Sequence, residues 1–373
     1  MTRPSRPYIG GQAVLEGVMM RAPRSFAVVV RRSDGSLSVR ERAMTDAEHG
    51  IGRWPFVRGV VTLVESLRLG SEALRFSAEQ LGADLAGSRS AVVLAMVSRA
   101  ICAWGVSLIA LSSSDGDAPS SGATPPRARR RAGGLVMLAV AVAFFVALPQ
   151  GAAAAVTRLL RLQLEVQSPG FQAMTGAFKL ALVVGYLLAI RRIPEIRRVF
   201  QYHGAEHKTI STYERGEALN LANARTKTTL HPRCGTTFLV MVALVSILVF
   251  TAVGAALPRI HTGSAVLDNL IFFAEKLPFL PVLVAITFEL QRIFARYLST
   301  GPLRVLLWPG FLVQKITTAE PDDAQLEVAL ASLRATLFRQ EQGQSQGEGD
   351  VCFASYAELV GAERLRAQDV ARA

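Results

Sequence analysis

The chain changes its hydrophobic period several times from one end to the other. Residues 26–32 and 37–42 alternate apolar and polar positions at strand spacing, and Ser33-Asp34-Gly35 between them is a hairpin signal. Residues 56–81 then switch to helical spacing, with Arg58, Glu65, Arg68, Glu72 and Arg75 between the apolar positions. That pattern predicts an amphipathic helix lying on a core or on a membrane surface. Beyond it, long apolar stretches dominate. Four of them, at 134–156, 174–190, 236–257 and 270–290, approach or exceed the roughly 20 residues that a bilayer crossing takes. A fifth, 91–111, carries Arg99 near its middle, which costs about 2.5–3.5 kcal/mol on the insertion scale. It reads as re-entrant or interfacial. Residues 303–316, with Trp308-Pro309-Gly310, read as an interfacial segment, and the threonine and acid cluster at 317–323 marks the start of a helix over 326–337.

Charge then orders these pieces. The net charge of +12 comes almost entirely from arginine, the hydrophobic fraction is 50%, and the mean hydropathy is +0.31. In a soluble protein such a charge would suggest nucleic acid; here it fits the rule that basic loops stay cytoplasmic, and no nucleic acid is expected. Residues 191–233 hold nine Lys/Arg against four Glu, and the linker 112–132 ends in four arginines. With four spans, both segments and both termini face the cytoplasm. If 91–111 also crossed, residues 1–90, with thirteen arginines against nine acids, would lie outside. Three widely spaced cysteines suit a reducing compartment. No cleavable signal peptide is read, because Glu16, Arg21 and Arg24 interrupt the first apolar stretch.

The chemistry gathers in the central basic segment. His203 and His207 sit four apart in Tyr-His-Gly-Ala-Glu-His-Lys, so on a helix both imidazoles share one face, with Glu206 beside the second. The pattern H-x-x-E-H supplies two imidazole ligands and a carboxylate able to take a proton from water. Gly204 argues against a regular helix there. His231 and Cys234, in His-Pro-Arg-Cys-Gly, offer an imidazole and a thiolate from a tight turn. Zinc is the ion that such a nitrogen and sulfur set favours, and manganese or iron would follow if carboxylates dominated. Glu16, Glu289, Glu320 and Asp322 are further oxygen ligands or bases. Each has a plainer reading as well: Glu289 as the partner of Arg292 or Arg296, Asp322 as a helix cap.

Four ordered runs, GGQAVLEGVMMR, FQYHGAEHKTI, HPRCGT and TTAEPDDAQLEVAL, resemble those of the YqhQ-like family of bacterial membrane proteins. The resemblance covers roughly residues 8–340 without the 112–132 linker. That family is a domain of unknown function sometimes labelled a predicted metal-dependent enzyme. The resemblance implicates Glu16, His203, Glu206, His207, His231, Cys234, Glu289, Glu320 and Asp322, and supplies no substrate.

Together these readings predict a mostly α, polytopic helical protein of the bacterial inner membrane, with about four spans and a cytoplasmic cap containing a small β-hairpin. Its parts are a cytoplasmic segment (1–90), the apolar segment 91–111, a disordered basic linker (112–132) and two spans (133–190). The His-bearing loop (191–235), two further spans (236–291), an interfacial segment with a cytoplasmic helix (292–339) and a low-complexity tail (340–373) follow. The expected function is a metal-dependent, hydrolytic activity at the cytoplasmic surface, on an unknown substrate for which an anionic lipid-linked molecule is the candidate. His203, His207 and either His231 or Cys234 would bind the ion, and Glu206 and Glu16 would serve catalysis. The rival is a non-enzymatic membrane scaffold or transport accessory. A metal transporter fits least, because no carboxylate relay crosses the apolar stretches.

Overall fold

The computed structural model describes residues 6–44, 54–84, 144, 148–162, 164–256, 262–297, 307–342 and 349–362. The segments 91–111 and 112–132 lie outside them. Near the N-terminus the chain forms β1 (Gly10–Val14), β2 (Gly17–Ala22), β3 (Ser25–Arg31) and β4 (Leu37–Ala43). These pair in sequence order as an antiparallel meander, and β5 (Gly349–Phe353) adds itself to β4. The hairpin read at 26–42 is therefore two strands of a five-stranded sheet. Within the expected low-complexity tail (340–373), residues 349–353 return as an edge strand, followed by a short helix at 356–362.

Two layers cover the sheet. Helix α1 (Val57–Asp84) packs on one face, where Phe26, Val28 and Val30 of β3 meet Leu69, Ala73 and Phe76. Its acids reach back to the strands: Arg21 donates to Glu65 at 2.9 Å and Arg42 to Glu72 at 3.1 Å. The other face, with Ala27 and Val29, packs against α4 (Pro194–Arg215) and α10 (Asp323–Gln342). Alternate residues of one strand thus face two different cores, as the two-residue period of a strand requires. Sheet, α1, α4 and α10 make up the cap.

The remaining helices are apolar. They are α2 (Leu148–Leu159), α3 (Pro169–Ile190), α6 (Gly235–Ala256), α7 (Ala265–Lys276) and α8 (Leu280–Tyr297), the last two joined by a 3-10 turn at Leu277–Phe279. Among the described residues three helical stretches, Pro169–Ile190, Gly235–Val253 and Leu270–Phe294, are long and apolar enough to cross a membrane. Of the fourth predicted span, 134–156, little more than the C-terminal end is described, as the start of α2. Val245 and Phe250 of α6 pack on Leu283 of α8. Two contacts tie α1 to α8: Gly59 lies against Phe288, and Arg58 pairs with Glu289. Short α5 (Leu221–Arg225) packs on α4 and α10, and α9 (Trp308–Thr317) packs on α6 and α3.

Candidate metal centre

Helix α4 starts with Pro194 at its first position and stops at Gly216, whose φ of 76° lets the chain turn while its N–H donates to Tyr213. Between these ends nearly everything from Phe200 to Tyr213 is buried, charged residues included. Gly204 does not break the helix. A Cβ at that position would collide with the carbonyl of Ala319, whose own N–H donates to Phe200 O at 2.9 Å. The glycine lets the 317–319 strand of chain lie directly on the helix, and this contact outweighs its poor helix propensity.

His203, Glu206 and His207 consequently share one buried face. Cys234, the residue before α6, comes to meet them. One ligand atom from each of His203, His207 and Cys234 lies within 4.8 Å of the others. The far nitrogens are already committed: His203 Nδ1 is 2.9 Å from Thr317 O and His207 Nδ1 is 2.5 Å from Thr229 O. A carbonyl only accepts, so each Nδ1 carries the hydrogen and each Nε2 is left facing the cluster. His203 Nε2 lies 3.1 Å from Cys234 Sγ. His207 Nε2 and Glu206 Oε2 are buried with no hydrogen-bond partner.

Electrostatics follow from this crowding. Burial pushes the Glu206 carboxyl up to about 7, against the opposing pull of His203 and His207. Burial alone would raise the Cys234 thiol, but His203 and His207 outweigh it and hold the thiol well below its usual range. Burial likewise works against a charged His203, and the Cys234 sulfur more than offsets it, so His203 is raised. Two imidazoles and a thiolate packed this closely are a donor set of the kind that holds a divalent cation.

The other predicted residues are employed elsewhere. His231 Nε2 lies 3.2 Å from Glu214 Oε2, and Glu214 also takes Arg233; the His231 ring centre is 5.7 Å from that of His207. Of the two candidates for the third ligand, Cys234 is the one brought into the cluster. Glu16 sits at the β1–β2 turn with φ 49°, where its carboxylate receives Arg198 Nε at 2.5 Å and Tyr202 Oη at 3.2 Å. Glu289 is held by Arg58 of α1, with Nε at 2.6 Å. Glu320 pairs with the buried Lys208. Asp322 caps α10 reciprocally with Gln325, at 2.8 and 2.9 Å.

Residues 54–339 match the protein family described as "Protein of unknown function (DUF1385)". That is well over half of the chain. The protein belongs to the DUF1385 family. It is also similar to the uncharacterized protein YqhQ of Bacillus subtilis (strain 168), 29% identical over 340 residues, which are 89% of this chain and 92% of that protein. No solved structure matches. The matched DUF1385 region contains all three clustered residues and Glu206, whereas the first four strands precede it.

Several residues of this DUF1385 chain that build the site carry no chemical signature in the sequence. Gly11 of β1 lies against Glu206, where a Cβ would stand 2.7 Å from its Oε1. Thr229 and Thr317 act through their carbonyls, which every residue type has. Gln314, fully buried in α9, clamps the His231 backbone from both sides.

Proposed function

We propose that the protein is a metal-dependent, hydrolytic enzyme of the bacterial inner membrane. It has four spans, with the cap and both termini on the cytoplasmic side. The observation that carries this reading is the convergence of His203 Nε2, His207 Nε2 and Cys234 Sγ while both Nδ1 atoms are pinned on carbonyls. Three protein ligands leave a tetrahedral ion one open position, the usual difference between a catalytic and a structural zinc site. The orphaned His207 Nε2 fits a ligand role, and zinc suits the nitrogen and sulfur donors. When bound, the ion supplies Lewis-acid chemistry, polarising an acyl or phosphoryl oxygen and acidifying water.

The chain's own residues would do the rest. Glu206, buried beside the ligands with one free oxygen and a pKa near the working range, holds and returns the proton. Thr317 O and Thr229 O keep the imidazoles in one tautomer. The arginines at 191, 192, 197 and 198 favour an anionic, lipid-linked substrate drawn from the cytoplasmic surface.

The test is elemental analysis of detergent-purified protein beside His203→Ala, His207→Ala and Cys234→Ala variants. About one ion per chain, lost in all three, supports the site; well-folded wild-type protein that takes up no metal overturns it. Glu206→Gln should keep the metal and lose function in a complementation assay. The scaffold reading draws on one feature, the Arg58–Glu289 pair that ties cap helix to apolar helix; it expects Glu206→Gln to complement fully. A cysteine probe placed in 191–233 should label from the cytoplasmic side alone.

A further inference from the structure

Helix α9 and its C-cap reach the cluster at three points, His203 directly and Cys234 and His207 through the residues beside them. Gln314 accepts from His231 N at 2.9 Å and donates to His231 O at 2.6 Å and to Thr237 Oγ1 at 2.5 Å. It thereby clamps the turn that presents Cys234 between its two ends. One turn later, Thr317 supplies the carbonyl that fixes His203. Thr318, which closes the helix through Gln314 O, lies against Thr229, whose carbonyl fixes His207. Positions 314, 317 and 318 have the i, i+3, i+4 spacing of a single helix face.

The opposite face has no partner among the described residues. Trp308 and Leu312, one turn apart, are 55% and 51% exposed. The backbone of α9 sits on the first turn of α6, where Gly310 lies against Thr237. That turn is the point at which the charge-free apolar helix begins, so the exposed face is level with the end of a span. Its surroundings are basic: Arg191 donates to Lys315 O at 2.6 Å, with Arg192 next in the chain. An exposed tryptophan and leucine beside arginines at a span end suit one occupant, the anionic leaflet on the cap side.

We propose that α9 is a positioning element through which this leaflet sets the geometry of the metal centre, with Gln314 as its principal positioning residue. The inference rests on the metal reading above. Cobalt(II) is the probe, because its thiolate absorption band reports Cys234 directly. The protein is placed in vesicles of phosphatidylethanolamine and phosphatidylglycerol.

Gln314→Leu should weaken cobalt binding by about tenfold and diminish the thiolate band, at unchanged circular dichroism. Gln314→Glu keeps the acceptor for His231 N and loses the donor; it should fall between the two and serves if the leucine variant does not fold. Trp308→Ser with Leu312→Ser should weaken binding in the same direction. In a chain whose sole tryptophan is Trp308 (Trp54→Phe, Trp104→Phe), brominated phosphatidylglycerol should quench its fluorescence. Variants at 314 that bind cobalt like the wild type, or a Trp308 that brominated lipid leaves unquenched, overturn the proposal. Wild-type protein without any thiolate band overturns the metal reading itself, and the quenching measurement still reports on the leaflet contact.

Discussion

The cap and the apolar helices are held together by different means. In the cap, β3 is buried on both faces and its neighbours are specified one by one: Arg21 by Glu65, Arg42 by Glu72, Ser25 Oγ by Thr336 O at 2.7 Å. In α6, 22 residues carry no charge, and Leu248 stands 71% exposed. The first region needs a particular partner at each position; the second needs only apolar surroundings. The chemistry lies where they meet. His203, Glu206 and His207 come from the cap, Cys234 from the mouth of α6, and Gln291 of α8 donates to Cys234 O at 3.2 Å across the seam. A site built this way borrows precision from one side and a water-poor setting from the other.

This contrast can be broken by substitution. Leu330, fully buried between sheet and α4, should cost ~2–5 kcal/mol when replaced by alanine, read by urea unfolding of the cap. Gly204→Ala should cost ~1–3 kcal/mol, because the added methyl meets the Ala319 carbonyl; faster proteolysis of the 317–323 segment would report it. Asp322→Ala removes a reciprocal cap and should lower cap stability by ~1 kcal/mol in the same unfolding assay. Leu248→Ala, on the open face of α6, should stay within ~0.5 kcal/mol in thermal unfolding. A Leu248 effect as large as that of Leu330 would mean that the apolar helices are as specifically packed as the cap.

The same contrast governs what the sequence discloses. Apolar length is a local property, so the stretches around 174–190, 236–257 and 270–290 are legible; each appears as helix, with ends shifted by a few residues. The His203/Glu206/His207 face is legible because helical spacing alone brings it together. Choosing Cys234 over His231 is not, since it depends on Glu214 claiming the latter ring. The partner of Glu289 lies 231 positions away in the sequence, beyond any local pattern. Strand β2 is hidden because burial on both faces erases alternation, as in Gly-Val-Met-Met, and half-buried β1, Gly-Gly-Gln-Ala-Val, is too poor in β-formers to signal a strand. Strand β5 owes its existence to the backbone of β4 and not to its own residues, Gly-Asp-Val-Cys-Phe.

One pairing dictates when this protein comes to exist as a working object. Residues 37–41 are joined in register to 349–353, and α10 lies across β2 and β3. During synthesis the first four strands emerge hundreds of residues before the pieces that cover them. One apolar sheet face must wait while the long apolar helices are made. Only then can α10 and the returning strand close the cap around His203 and His207. A chain that stalls short of residue 323 has its apolar helices but no α10, so the core that surrounds His203 and His207 is not closed until α10 has been made.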